Sequence, residues 1–252
     1  MAAPRPLDDH WLNQSLDLKG NAALTMSVTV DTVGTAKVKA PRADRASTTR
    51  EAILAAAERL YAEHGVFAVS NRQVSEAAGQ GNNAAVGYHF GTKVDLVRAI
   101  EHKHRGPIEH LREQMVAQLG PAPDMRAWVA CLVRPLTDHL EQLGNPTWYA
   151  RFAAQVMTDP AYHGMIVRDA LSSPSLVEVI SGISTCLPEL PADVRAERNV
   201  MGRNLLMHSC ADRERGLAKG APVPRLTWSA AASGLIDAMV GLWQAPVSEE
   251  PR

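Results

Sequence analysis

Asn82, Asn83, Ala84, Gly87, Tyr88 and His89 fall within eight consecutive residues, and Lys93 follows four positions later. This set suits the edge of a DNA duplex. An Asn amide pairs bidentately with adenine, and an alanine methyl meets the methyl of thymine. Tyr88 and His89 can reach a phosphate or a base edge, and Lys93 can sit against a phosphate as a point charge. Gly87 lets a backbone approach closely or simply leaves room. Thr48 and Arg72, further back, are phosphate candidates of the same kind. The competing reading makes Asn82 and Asn83 turn and cap residues and puts Tyr88 in the core.

The surrounding residues say what must hold these groups. Ser70 has Gln73 three positions on, a reciprocal capping box that opens a short helix at Asn71. Gly79-Gln80-Gly81-Asn82-Asn83 then supplies turn residues. A second short helix runs from Ala84 to Phe90, Gly91 and Thr92 stop it, and Thr92 with Asp95 caps another. Two short helices across a tight turn describe a helix-turn-helix, whose second helix enters the major groove. A helix before them is expected to start at Thr48, capped against Glu51, and to bury Ile53, Leu54, Ala57, Leu60 and Tyr61 before His64-Gly65 ends it. Val66 to Val69 reads as an apolar plug beneath the helices. The second helix is expected to bury Val74, Ala77 and Ala78, and the third Ala85 and Val86. The fourth is expected to run from Lys93 to about His104, with Val94, Leu96, Val97 and Ile100 inward, and to break at Gly106-Pro107.

Charge agrees with this placement. The 252 residues sum to −1, yet residues 37–105 carry +4 against −2 before them and −3 after them. The positive excess therefore sits on the helix-turn-helix and its basic leader, Lys37 to Arg45. Hydrophobic residues at 46% and charged residues at 21% are ordinary for a soluble globular chain. No apolar run reaches the ~18 residues that span a bilayer, and the first residues do not read as a signal peptide, so a cytoplasmic address and no membrane partner are expected. Met26 is a possible alternative start. Cys131, Cys186 and Cys210 are too few and too widely spaced for a disulfide framework or a metal motif, and read as free thiols. His102, His104 and His110 lack the spacing of a zinc site, and no nucleophile-elbow, phosphate-loop, dinucleotide or HExxH pattern occurs. No cofactor, no metal and no catalytic residue are expected.

Beyond Pro107 the pattern stays helical, with stripes through Ile108, Leu111, Met115 and Leu119, then a long helix from Met125 to Leu143 kinked at Pro135. Further helices are expected through Trp148 to Val156, from Asp159 to about Leu171, from Ser173 to Ile183, from Pro191 to about Arg215 and from Arg225 to about Trp243. The fold class is all-α: a three-helix helix-turn-helix DNA-binding domain followed by a larger helical domain. The expected division is an unstructured arm over 1–46, the helix-turn-helix domain over 47–105, a regulatory and dimerisation domain over 106–245 and a tail over 246–252. Trp128, Trp148, Phe152, Met157, Tyr162 and Met165, with Gln155 and His208 as polar groups, form the candidate lining of a mostly apolar ligand pocket; an ordinary helical core explains each of them as well. Ala230, Gly234 and Ala238, at four-residue spacing, permit close helix contact beside Leu235 and Met239. With Leu205 on the preceding helix they form a candidate dimer interface.

Residues 47–105 resemble the N-terminal domain of the TetR family of transcriptional regulators. The resemblance lies in Thr48-Thr49-Arg50-Glu51-Ala52-Ile53-Leu54, in Phe67, Ser70, Arg72 and Val74, in Ala77-Ala78-Gly79, and in Val86, Tyr88, His89, Phe90, Lys93 and Leu96. Nine positions separate Gly79 from Tyr88, where seven is common, so the chain resembles the subset with a lengthened turn. The resemblance implies a homodimer on double-stranded operator DNA, a ligand pocket in the second domain and repression relieved by a small hydrophobic effector. It implies DNA contact at the positions of Tyr88 and His89. Two other readings stand beside it: a constitutive DNA-binding regulator without a ligand, and a helical enzyme or carrier, which would lack any catalytic constellation.

Overall fold

The computed structural model describes residues 42–248, and they fold into ten helices with no strand among them. Residues 1–41 of the arm expected over 1–46, and the last residues of the expected tail, lie outside the described part. In chain order the helices are α1 Arg42–His64, α2 Asn71–Ala77, α3 Ala85–Phe90, α4 Lys93–Ala117 and α5 Met125–Leu143. They continue as α6 Tyr149–Thr158, α7 Pro160–Ala170, α8 Pro174–Thr185, α9 Ala192–Ala218 and α10 Trp228–Gln244.

Two helix boundaries depart from the local signals. α1 starts at Arg42, so Thr48 and Glu51 lie inside a helix instead of opening one, and residues 42–46 extend it rather than forming the end of an arm. α4 runs straight through Gly106-Pro107. An interior proline costs about 3 kcal/mol, but α4 buries Ile100, His104, Ile108 and Arg112 at a strict four-residue spacing. Packing along that stripe on both sides of the proline outweighs the lost hydrogen bond. α5 likewise carries Pro135 within it, buried. Elsewhere the local chemistry is decisive. Gly65 (φ 83°) closes α1 by donating its N–H to the Tyr61 carbonyl at 2.9 Å. Asp124, Asp159, Ser173 and Thr227 cap α5, α7, α8 and α10 through their side chains.

The core is continuous from α1 to α10. Ile53, Leu54, Ala57 and Tyr61 of α1 meet Val74, Val86, Leu96, Val97 and Ile100 beneath the helix-turn-helix. Tyr61 also stacks on Phe152 of α6, with ring centroids 6.3 Å apart. α10 lies along α5 and buries Trp228, Ala232, Leu235, Ile236, Met239 and Trp243. Gly182 of α8 lies so close to the Trp128 indole that even a methyl group would overlap it. On the far side of α6, Glu214 of α9 accepts from the Ala150 and Arg151 amides, both at 3.0 Å, and from Arg151 Nε at 2.9 Å. A fully buried carboxylate thus satisfies the open N-terminal amides of α6 and a guanidinium at once.

The connector before α2 is half a plug. Val66 and Val69 are buried, but Phe67 is 94% exposed. In α2, Val74 and Ser75 face inward, whereas Ala77 faces water. The seven-residue turn after α2 pulls Ser75 toward it, and the Ser75 hydroxyl donates to the Asn83 carbonyl at 3.4 Å. Val94 of α4 is also turned outward.

Candidate nucleic-acid interface and the cavity behind it

The expected capping boxes at Ser70 and Thr92 both form. Ser70 N–H donates to Gln73 Oε1 at 2.8 Å and Gln73 N–H returns to the Ser70 hydroxyl at 3.3 Å. Thr92 N–H donates to Asp95 Oδ2 at 3.0 Å, and Asp95 N–H to the Thr92 hydroxyl at 3.2 Å. The Thr92 bonds hold the Asp95 carboxyl below the usual carboxylate range. These caps orient α2 and set the angle between α3 and α4.

Asn82 leads into the recognition helix α3. Its Oδ1 accepts the Ala84 N–H at 2.9 Å and its carbonyl accepts the Ala85 N–H at 3.0 Å. Asn82 is therefore a turn-former that keeps only its amide NH₂ for a partner, while Asn83 projects its whole side chain into solvent. Ala85 and Val86 anchor α3 to the core. Ala84, Gly87 and Tyr88 lie on the outer side, with His89 half-buried and edge-on to the Tyr88 ring at 5.0 Å between centroids. Tyr88 is 81% exposed, which removes the core reading for it. A Cβ on Gly87 would meet nothing, so the glycine leaves an open approach on that face rather than a tight internal contact.

Arg72 is exposed and donates through Nε to Glu76 at 2.7 Å, leaving the rest of its guanidinium toward solvent. Thr48 is exposed on α1. Lys93 behaves differently from the expectation of a phosphate contact. Its ammonium donates to the Val66 carbonyl at 3.0 Å and the Val69 carbonyl at 2.6 Å. It fastens the α1–α2 connector, to which both carbonyls belong, to the start of α4. Arg50, not singled out from sequence, covers the Phe90 ring at 4.6 Å and closes the other end of α3.

Behind this surface, α4 forms one wall of a cavity of about 510 Å³ that α5 to α10 also border. The walls are mainly aliphatic, with Ile108, Leu136, Ile183 and Leu206 among them, and Trp243 at one side. Of the eight pocket residues expected from sequence, only Met157 lines it. Phe152 is consumed by the α1–α6 contact, and Gln155 is exposed beside Gly65. Trp128 packs on Gly182, Trp148 precedes α6, Tyr162 and Met165 are buried in the core of α7, and His208 is exposed. Aromatic content was a poor guide because large rings fill space instead of bounding it.

Most of the charged groups of the cavity come from α4, namely Glu101, Arg105, Glu109 and Arg112, and α9 adds Arg203. Glu101 and Arg112 are buried. Burial pushes the Glu101 carboxyl up to about 7, with Arg105 and a hydrogen bond from Tyr149 acting the other way. Burial also lowers Arg112 from its ordinary value, which Glu109 opposes. Arg112 Nη1 donates to Glu109 at 2.8 Å, and the Ser175 hydroxyl donates to the same carboxylate. Charges repeating every four residues on a helix that also buries aliphatics were the signal for this site. A helix expected to break at Gly106-Pro107 does not carry that stripe through to Arg112.

The candidate dimer residues divide. Leu235 and Met239 are buried within their own subunit against α5, so they have little or no surface for a partner. Ala238 is exposed, and Leu205, Ala230 and Gly234 are partly so; Gly234 abuts the Arg225 guanidinium. All three cysteines are free, and burial raises the Cys210 thiol to about 12.

A short helix presented on an open surface between two capped helices and rooted in an all-helical body defines a helix-turn-helix DNA-binding protein. Residues 53–100 match "Bacterial regulatory proteins, tetR family" and residues 130–241 match "Tetracyclin repressor-like, C-terminal domain". The chain belongs to the TetR family and is a DNA-binding transcriptional regulator. The fold is similar to that of NalD, the secondary repressor of the MexAB-OprM multidrug efflux pump in Pseudomonas aeruginosa. That likeness has 20% identity and a TM-score of 0.51, covering 81% of this chain and 100% of that one. A TetR-family transcription regulator from Shewanella sp. PV-4 is similar at 16% identity and a TM-score of 0.50, over 77% of this chain and 96% of that one. No curated protein matches the chain. No helix among the described residues is long and apolar enough to cross a membrane.

Proposed function

We propose that this regulator is a repressor that holds a pseudopalindromic operator as a homodimer and is released when a small, mostly apolar effector fills the cavity. The observation that carries the reading is the course of α4. One unbroken helix starts at the cap beside the recognition helix and lines the cavity further along. A molecule that fits one α4 position better than another shifts the spacing of the two DNA-binding domains, and its differential affinity sets the size of the shift. That geometry favours effector control over a constitutive regulator. It also favours a domain division in which 47–105 reads DNA and 106–245 senses and dimerises, with α4 crossing the boundary.

On the DNA, Asn83, Ala84, Gly87, Tyr88 and His89 take the groove, with Asn82 adding one amide group and Thr48 and Arg72 the flanking phosphates. Two copies of α3 fall in successive major grooves, ~34–36 Å apart. Ala230, Gly234 and Ala238 of α10, with Leu205 of α9, face the second copy in a four-helix bundle. The place of work is the cytoplasm, where the operator is.

The test is binding of the purified protein to a labelled duplex from upstream of its own gene. The expected result is two subunits per site and an affinity that falls steeply with salt but exceeds that for unrelated DNA. Equal, weak binding to both duplexes, or a monomer in the bound complex, overturns the reading.

A further inference from the structure

The polar lining of the cavity is lopsided. Three guanidinium groups border it, those of Arg105, Arg112 and Arg203, against two carboxyls, Glu101 and Glu109. Glu109 is already satisfied by Arg112 and Ser175. Arg105 has only a distant ion pair, 3.9 Å from Asp169, which Arg98 engages more closely at 3.2 Å. Arg203, half-buried on α9, has no ion pair among the described residues. Arg112 is 7% exposed, and its Nη1 goes to Glu109 while its Nε has no hydrogen-bond partner. The edge formed by Nε and Nη2 is the side by which a guanidinium takes both oxygens of one carboxylate. A buried N–H left without an acceptor is costly, and Arg112, which lines the cavity, keeps one that an acceptor brought by a ligand would satisfy.

We propose that the effector is an amphipathic organic acid: an apolar body against the aliphatic walls, and one carboxylate set on the free edge of Arg112 with Arg105 and Arg203 supplying the remaining positive charge. The inference rests on the effector-cavity reading above and adds the chemical class. Glu101 does not oppose such a ligand. Desolvation raises its carboxyl to about 7, so it accommodates a nearby anion by keeping its proton, and the protonated group can donate to a carboxylate oxygen. A cationic amphiphile finds no free carboxylate to match, since Glu109 is spent on Arg112 and Ser175.

The test uses three probes of equal chain length, decanoate, 1-decanol and decylamine, titrated calorimetrically into the intact protein. Decanoate is expected to bind at least about tenfold more tightly than the alcohol or the amine, the scale of one added charge-assisted contact. Arg112→Met is expected to erase that preference while leaving the alcohol's affinity near the wild-type value. Arg203→Met, at a position with no internal partner to lose, is expected to reduce the preference in a protein of unchanged thermal stability, which covers the case of a poorly folded Arg112 variant. Equal binding of acid and alcohol, or tighter binding of the amine, overturns the acid class and leaves the effector cavity standing. Failure of all three probes to bind overturns both.

Discussion

His104 of α4 holds the Glu58 carboxylate of α1 at 3.0 Å, and neither side chain is more than a few per cent exposed. A carboxylate only accepts, so His104 Nε2–H is the donor. Its other nitrogen lies 2.9 Å from His139 Nε2 of α5, and one proton must sit between the two rings. Tyr149 of α6 stacks on His104 with 3.9 Å between centroids. α1 is thereby tied to α4, α5 and α6 through one buried imidazole. Burial alone would raise Glu58, but His104 and Lys103 outweigh it and hold the carboxyl below its ordinary value.

Removing one partner of this pair strands the other. Glu58→Ala is expected to cost about 3 kcal/mol or more in denaturant unfolding, the scale for breaking a buried, hydrogen-bonded charge pair. Glu58→Gln, which keeps an acceptor for His104, is expected to cost clearly less. Equal losses in the two variants would mean that packing, not the hydrogen bond, matters at this position.

Stability should carry a pH signature of Glu101. Its folded pKa of about 7 lies above the ordinary 4.5, so its contribution is present below 4.5 and is lost as pH rises through 7. Glu101→Gln lacks that loss. The melting temperature of the variant minus that of the wild type is expected to climb from about pH 4.5 to 7 and then level off, by several degrees in all. His139 runs the opposite way. Burial and His104 lower its folded pKa to about 4, so its contribution is present above 6.5 and fades as pH falls toward 4. His139→Gln should therefore gain on the wild type as pH falls through that window. A flat difference in either series would contradict the assigned burial.

Lys93 and Tyr88 should separate cleanly. Lys93→Met breaks both hydrogen bonds to the connector carbonyls and is expected to lower stability by about 1–3 kcal/mol, with DNA affinity falling as a consequence. Tyr88→Ala touches an exposed ring and is expected to weaken operator binding about tenfold or more with no change in melting temperature. Thermal unfolding and fluorescence anisotropy on the same preparations read both effects. A large loss of stability in Tyr88→Ala would return that ring to the core.

Gly182→Ala puts a methyl group into the Trp128 indole across the α5–α8 contact. The expected cost is about 1–3 kcal/mol, typical of overpacking, seen as a lower denaturation midpoint. Trp128→Leu in the same chain should recover part of it by making room. Gly241→Ala, at a position where a Cβ meets nothing within the subunit, serves as the control and should be close to neutral.

The sequence by itself determined the helices and the reading head. Capping boxes, turn residues and the spacing of apolar side chains act over three or four residues, so Ser70, Thr92 and the α2–turn–α3 unit were legible without any knowledge of neighbours. The outward set of Ala84, Gly87 and Tyr88 followed from the same short-range periodicity. What lay behind it was not legible. Whether α4 stops at Pro107 depends on the packing of residues 100–112, which neighbours distant in sequence provide. Lys93 looked like a phosphate contact because it opens the helix that follows the recognition helix, yet Val66 and Val69, more than twenty positions away, supply two acceptors. The cavity could not be read from its aromatic residues, since a void is defined by where side chains fail to meet. Only tertiary structure decides that, and it set the walls on α4 and α9 and sent Phe152, Trp128 and Met239 into the core.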